Sequence, residues 1–275
     1  MIDLKYHFAT IAAIFLALGI GMVIGSTFID NEFLLHEQER LIDRLEEDFY
    51  ALRQQNQLVK AEITKVKQNN ETLKNFTKEL YPLIFSEKFG GYSIVVIKTC
   101  QCESIEDLLD TLKRAGIKVK LVSIDMKKLS KLKNNPSQEL PEIAISLGRM
   151  LLNEVELENE YKNFVKISGA TSEFFDTALI VGGSHQDKYN FADFFDVPLI
   201  QYFKEQGLNV IAGECSETSS SYLPLYQKLG ICTVENLDTV IGQTALMLIL
   251  MKSPSEPINF DVKTGAEQLV PLIKQ

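Results

Sequence analysis

The chain begins with a long uncharged stretch, which runs from Phe8 to Ile29. As a helix rising about 1.5 Å per residue, its roughly 22 residues would span about 33 Å, enough to cross the hydrocarbon core of a bilayer. The stretch is longer than the ~7–15-residue apolar part of a cleaved signal peptide and lacks the small-residue cleavage site. We therefore predict a transmembrane anchor over residues 1–29, with a signal peptide and a buried core helix as the alternatives.

Small residues recur at every fourth position of this stretch. They leave one face of the helix without bulk, so that a second helix can approach closely. The pattern predicts that the anchor dimerises through these residues. They are Ala13, Ala17, Gly21 and Gly25.

The flanking charges predict the orientation of the anchor. Lys5 precedes the helix, whereas no lysine or arginine follows it until Arg40. Positively charged flanks stay on the cytoplasmic side of a membrane. We expect a single-pass membrane protein with a cytoplasmic N-terminus, in which everything after about residue 30 lies outside the cytoplasm.

A heptad repeat follows the anchor and continues to Leu80. No glycine or proline interrupts residues 32–81, and we expect Pro82 to end the rod. The pattern predicts a coiled coil over residues 30–82, about 70 Å long from Leu35 to Leu80, which would hold the next domain away from the membrane. With Ile42 at position a, the a residues are Leu35, Ile42, Phe49, Asn56, Ile63 and Asn70, and the d residues are Leu45, Leu52, Val59, Val66, Leu73 and Leu80.

Polar residues in the repeat predict how the helices pair. Asn56 and Asn70 occupy a positions, where asparagine costs stability but pairs across a parallel two-stranded seam and fixes the register. Acidic g residues also face basic e residues in the parallel arrangement, so the sequence predicts a parallel homodimer. An antiparallel hairpin within one chain is the alternative. The g-to-e pairs are Asp48 with Arg53 and Glu62 with Lys67.

From Gly91 onward, short apolar strands alternate with amphipathic helices. This alternation predicts an α/β domain over residues 90–275, with a mostly parallel sheet covered on both faces in a Rossmann-like three-layer arrangement. The apolar segment Thr239–Met251 is too short to span a bilayer, so we expect a buried core helix. The predicted strands are Ile94–Ile97, Ile117–Leu121, Ala178–Val181, Leu208–Ala212 and Ile231–Val234.

Composition narrows the possible ligands and partners. A net charge of −9 and a pI near 5.0 disfavour nucleic acid, which requires clustered lysine and arginine. Four cysteines in a chain of 275 residues do not make a disulfide framework, although disulfides are permitted outside the cytoplasm. We expect no nucleic-acid partner and no resident cofactor.

Candidate metal ligands follow the predicted strands. In parallel sheets, ligands bind beyond the carboxyl ends of the strands, where Cys100, Cys102, His185 and Cys215 are expected. Thiolates and an imidazole suit Cu(I) or Zn(II), so copper is the candidate metal. The alternative is that strand ends lie close together whatever residues they carry, since Cys100-x-Cys102 has no matching second pair.

Motifs for catalysis are absent from the sequence. It contains no G-x-G-x-x-G after the first strand, no Walker A motif, no G-x-S-x-G and no H-E-x-x-H. Glu214 and the serines at 219–221 could bind a polar group, but a serine-rich segment is most often only a loop. We expect no catalytic residues and no enzyme, with an enzyme that uses the carboxyl edge of the sheet as an alternative.

Both ends of the chain resemble one protein family. The first residues read MIDLKYH, followed by AAIFLAL at 12–18 and GMVIGS at 21–26. Near the other end are NLDTVIGQ at 236–243 and KTGA at 263–266, with Pro271 and Leu272 beyond them. These motifs resemble the actinobacterial MctB family, also called SteB, and the resemblance implies a bacterial cell-envelope protein with an anchor, a coiled coil and an α/β domain in this order.

The two names of the family imply different functions. The name MctB implies a copper transporter family, with copper efflux or an outer-membrane pore, whereas SteB implies a membrane-anchored protein that partners SteA and influences peptidoglycan hydrolysis and division. One helix per chain does not line a channel. We therefore expect a homodimeric scaffold in a bacterial cell membrane that presents its α/β domain to a SteA-like partner, with copper transport, efflux or tolerance as the first alternative.

Overall fold

The structure is a computed structural model that describes residues 4–85, 88–100, 105–126, 128–129, 136–153, 163–170, 174–184, 191–254 and 256–261. Within these ranges, the side chains of residues 4–5, 27–34, 136–137 and 153 are not described. The chain divides into two compact units, Met1–Asn70 and Glu71–Gln275.

A single long helix, α1, comprises Leu4–Phe85. Leucine, glutamate, glutamine and lysine, which favour helices, dominate its second half. The helix does not end at Pro82, as the sequence led us to expect, but continues to Phe85. Proline removes one backbone hydrogen bond from a helix. The final turn is held by packing instead, because Tyr81 and Phe85 are both buried in the α/β core.

The α/β unit is built on one seven-stranded sheet in the order β3-β2-β1-β4-β5-β6-β7. All neighbouring strands are parallel except β2 and β3, which are antiparallel. The strands are β1 Ser93–Lys98, β2 Lys118–Ile124, β3 Val165–Gly169, β4 Thr177–Gly182, β5 Asn209–Glu214, β6 Cys232–Val234 and β7 Asn259–Phe260.

Helices cover both faces of the sheet. One core packs α2 and α6 against Ile94 and Val96 of β1, and the other packs α3, α4 and α5 against Val95 and Ile97. Burial on both faces explains why β1 is a continuous apolar run rather than an alternating one. The predicted three-layer α/β architecture is confirmed. The helices are α2 Ile105–Arg114, α3 Pro136–Asn153, α4 Val197–Glu205, α5 Leu223–Lys228 and α6 Val240–Lys252, and a π-helical turn, Ala192–Asp196, leads into α4.

The last turns of α1 are part of the α/β unit. The Tyr81 hydroxyl lies 3.1 Å from the Thr244 hydroxyl of α6, and Lys78 Nζ donates to Asp107 Oδ1 of α2 at 2.8 Å. Lys74 also donates to the Asp107 carboxylate. The end of α1 therefore packs on the same face of the sheet as α2 and α6.

Candidate functional site

The first candidate site is the apolar segment of α1. Tyr6–Ser26 is 21 residues long, has a mean hydropathy of 2.4 and is wholly exposed. Among the described helices, it is the one segment long and apolar enough to cross a membrane. A Cβ added at Gly21 or Gly25 would meet no atom within 4 Å, so this face of the helix is open to a neighbour. Ala13 and Ala17 are exposed on the same helix, and their role in dimerisation stays a prediction.

The second candidate site is the heptad seam, which we define as the a and d residues of α1 from Leu35 to Leu73. Every residue from 35 to 73 is exposed in the single chain, including Asn56 and Asn70. The apolar a and d side chains are between 47% and 65% exposed. This part of α1 therefore carries an apolar stripe, interrupted by Asn56 and Asn70, that the described residues of its own chain leave exposed.

The third candidate site is the carboxyl edge of the sheet. The strand order reverses between β1 and β4, which is where open α/β sheets bind ligands. The backbone N–H groups of Thr99 and Cys100 both donate to the carbonyl oxygen of Val181, at 3.0 and 3.2 Å. These bonds extend the contact between β1 and β4 beyond the end of β1.

The predicted metal ligands are only partly described. Cys100 and Cys215 are buried at this edge, after β1 and β5. Cys100 carries a reduced thiol, whereas Cys215 is disulfide-bonded, and a disulfide sulfur is not a thiolate ligand. Cys102 and His185 lie outside the described residues. Among the residues that are described, no three histidine, cysteine or acidic side chains are grouped as a metal site would require.

The serine-rich loop after β5 folds back onto Glu214. The Glu214 carboxylate accepts a hydrogen bond from the backbone N–H of Tyr222, and burial raises the pKa of this carboxyl. Ser184 after β4 pairs with Ser220 through two backbone hydrogen bonds of 2.9 and 3.1 Å. The loop and Glu214 thus bind each other, and the Glu214 side chain is only 3% exposed.

A second buried carboxylate, Asp196, lies near the same edge of the sheet, beside Thr99. Its Oδ2 accepts a hydrogen bond from the Tyr226 hydroxyl and lies 3.3 Å from the Thr99 hydroxyl. Its Oδ1 has no hydrogen-bond partner among the described residues. Burial raises the pKa of Asp196 to about 6, and the nearby Glu214 adds to the shift, against the lowering effect of the two hydroxyls.

Because Gly182 has no side chain, the Tyr226 hydroxyl that binds Asp196 can pack against the end of β4. A Cβ at Gly182 would lie only 2.1 Å from the Tyr226 hydroxyl oxygen. Neither Asp196 nor Tyr226 was predicted from the sequence, because neither belongs to a motif and they come together only through the packing of α4 and α5 on the sheet.

One protein family matches the N-terminal part of the chain. Residues 1–131 match the family model described as MctB, copper transport outer membrane protein. This match extends from the apolar segment of α1 through β2, so it includes part of the sheet. Over these residues, which make up just under half of the chain, the protein is similar to the MctB family. The match confirms the resemblance inferred from the N-terminal motifs, whereas the motifs at 236–243 and 263–266 lie beyond it.

Other comparisons add no functional information. No curated protein matches the chain. Among solved structures, a hypoxanthine phosphoribosyltransferase from Staphylococcus aureus is 12% identical, with 57% of this chain and 75% of that protein covered, at a TM-score of 0.22. A TM-score this low carries no argument about fold or function.

Proposed function

We propose that this protein, whose first 131 residues match the MctB family model, is a membrane-anchored scaffold. In this proposal it dimerises through α1 and presents its α/β domain outside the cytoplasm to other envelope proteins. One observation carries the proposal: the same helix bears an apolar segment long enough to span a membrane and an exposed heptad seam. The role is binding rather than catalysis. The partner that the family resemblance suggests is SteA-like.

Burial of the heptad seam is the driving force for the proposed dimer. Fully burying a leucine, isoleucine or phenylalanine side chain stabilises a structure by about 1.5–3 kcal/mol. Leu45, Phe49 and Leu52 are each 59% to 65% exposed on adjacent turns. Pairing with a second copy would remove these side chains from water, and Asn56 would then select the parallel register.

The mechanism of such a scaffold is positional. Two α/β domains on one dimer offer two binding surfaces at high effective concentration, which raises avidity for a partner with two sites. Anchorage confines both surfaces to one membrane. The length of the helical seam then sets the distance over which a partner is reached.

Cysteine crosslinking tests the parallel dimer. In membranes that contain the full chain, we expect oxidation of an Asn56→Cys variant to give a disulfide-linked dimer, because parallel strands bring the two copies of an a residue together. The matched control is Gln54→Cys, two residues away at the outward-facing f position, which should give little dimer. The native cysteines are the same in both variants and in the wild type.

Two results would contradict this part of the proposal. Absence of a dimer from Asn56→Cys would exclude the parallel seam. Equal crosslinking of Asn56→Cys and Gln54→Cys would indicate random collision rather than a defined register.

Copper handling is a second candidate function, supported by the description of the matched family. It predicts that the reduced full chain binds Cu(I), and that replacing Cys100, Cys102 and Cys215 with serine abolishes this binding. The control is Cys232→Ser, because Cys232 is a reduced thiol in β6 whose sulfur accepts a hydrogen bond from the Ile258 backbone at 3.3 Å. Equal Cu(I) binding by the triple variant and the wild type would refute these ligands.

A further inference from the structure

Three neighbouring strands place a lysine, a serine and a lysine in one row at the carboxyl edge of the sheet. In the register of β1 with β2, Lys98 pairs with Ser123, and in the register of β2 with β3, Ser123 pairs with Lys166. Paired residues on adjacent strands lie about 4.8 Å apart, and their side chains point to the same face. We call Lys98, Ser123 and Lys166 the cationic row.

The cationic row lines a cavity of about 300 Å³. Thr99 and Asn163 add a hydroxyl and an amide to its wall, and Met126 and Phe164 add apolar surface. The volume lies at the lower end of the ~300–1,000 Å³ range of small-molecule sites. The cavity therefore suits a ligand with one polar end and a small body, and is too small for a dinucleotide.

The charge of the cavity is opposite to that of the chain. Among the described residues that line it, Lys98, Lys128 and Lys166 outnumber the one acid, Asp125, whereas the whole chain carries a net charge of −9. Asp125 is engaged by Lys128, whose Nζ and backbone N–H lie 2.9 and 3.1 Å from its carboxylate oxygens. Among the described residues, Lys98 and Lys166 form no ion pair.

Two unpaired lysines that share a cavity repel each other unless an anion lies between them. Each lysine side chain can reach over Ser123, so both ammonium groups and the serine hydroxyl can donate to one group of acceptor oxygens. The dianion of a phosphate monoester has three terminal oxygens that accept hydrogen bonds. Its two negative charges match the two ammonium groups, and its three terminal oxygens match the three donor groups of the two lysines and the serine.

We propose that the cationic row is a binding site for a phosphate group, either free phosphate or the phosphate of a small monoester. The cationic row supplies the charge and hydrogen bonds, while Met126 and Phe164 contact the body of an ester. This inference is independent of the proposed scaffold function, because it requires neither the membrane nor the dimer.

Calorimetric titration of the full chain in detergent micelles tests the site. The probes are glucose 6-phosphate, inorganic phosphate, malonate and glucose, at one ionic strength. We expect glucose 6-phosphate to bind, and Lys98→Gln and Lys166→Gln each to weaken it by about tenfold or more, since a hydrogen bond to a charged group is lost. The control is Lys118→Gln, which removes the same charge at the amino-terminal end of β2 and should leave binding unchanged.

Each outcome of this titration decides a specific point. Tighter binding of glucose 6-phosphate than of phosphate supports an ester ligand, and equal binding supports free phosphate. Tighter binding of malonate than of either would overturn the assignment to phosphate. Failure of all the anions to bind, or an equal loss with Lys118→Gln, would overturn the site itself, because only general electrostatics would then remain.

Discussion

Replacing Phe85 with alanine is expected to destabilise the α/β unit by about 3–5 kcal/mol, the usual cost of truncating a buried phenylalanine. Phe85 is 3% exposed, and its ring lies between those of Tyr81 and Phe89, with ring centroids 5.9 and 6.0 Å away. The substitution leaves a cavity in the core that also contains α2 and α6. The lost packing therefore falls on the domain and not on the helix alone.

Near-ultraviolet circular dichroism is the suitable measurement for this variant. The chain has no tryptophan and nine tyrosines, so the near-ultraviolet signal reports tyrosines such as Tyr81 and Tyr92 in the α/β core. The far-ultraviolet signal would be dominated by α1. The matched control is Leu83→Ala, two residues away, because Leu83 is 81% exposed and its truncation should change the free energy of unfolding little.

Equal melting temperatures for Phe85→Ala and the wild type would contradict the expected packing. They would mean that the last turn of α1 contributes nothing to the core. A loss with Leu83→Ala as large as that with Phe85→Ala would instead indicate a general effect on the helix at Pro82.

Replacing Asp196 with asparagine is expected to change the free energy of unfolding relative to wild type, and this difference should be more favourable to the variant at neutral pH than at acid pH by about 3 kcal/mol. The pKa of Asp196 is raised by burial from 3.8 to about 6, and one pKa unit corresponds to about 1.4 kcal/mol. An acid whose pKa is higher in the folded state contributes stability below its unfolded pKa. That contribution is lost as the pH rises through the folded pKa.

The sign gives a defined pH window. The contribution of Asp196 to wild-type stability should fall between about pH 4 and pH 6 because the buried carboxylate must ionise. The asparagine amide of the variant does not ionise, and its oxygen can still accept from Tyr226 and Thr99. The difference in free energy of unfolding between variant and wild type should therefore shift in favour of the variant across this window. Glu214 is present in both proteins, and its coupling to Asp196, which is lost in the variant, is part of the same raised pKa.

Asp193→Asn is the matched control for this prediction. Asp193 lies in the same π-helical turn but is exposed, so replacing its carboxylate relieves no cost of burying a charge and should not reproduce the effect of Asp196→Asn. The measurement is thermal unfolding, followed by near-ultraviolet circular dichroism, at several pH values. A stability difference for Asp196→Asn that stays constant from pH 4 to pH 7 would contradict the raised pKa.

Local patterns predicted most of the fold correctly. All five predicted strands are present, and Thr239–Met251 is the buried helix α6, which begins at Val240 after a Thr239 cap. The two strands that were missed have weak signals: β3 is a mostly exposed edge strand, and β7 is two residues long. Pro82 was also misleading, because tertiary burial of Tyr81 and Phe85 outweighs the local cost of proline in a helix.

The candidate sites were less predictable than the fold. The heptad seam follows from spacing along one helix, so the sequence suffices to place its residues on a common face. The predicted metal site rested on strand ends meeting at one edge, which holds for Cys100 and Cys215, but the disulfide state of Cys215 has no signal in the sequence. Neither Asp196 nor the cationic row follows from any local pattern.

The sequence by itself determined the apolar span and the exposed heptad seam, because both depend on a period of three to four residues within one helix. It also determined the α/β class, through the alternation of strands and helices. Only the tertiary structure decided which distant residues meet. Asp196 of the π-helical turn contacts Tyr226 of α5, and Lys98 and Lys166 pair with Ser123 across neighbouring strands. Strand order and register depend on packing between distant segments, and a shift of one residue along a strand would move the side chain of Lys98, Ser123 or Lys166 to the opposite face of the sheet.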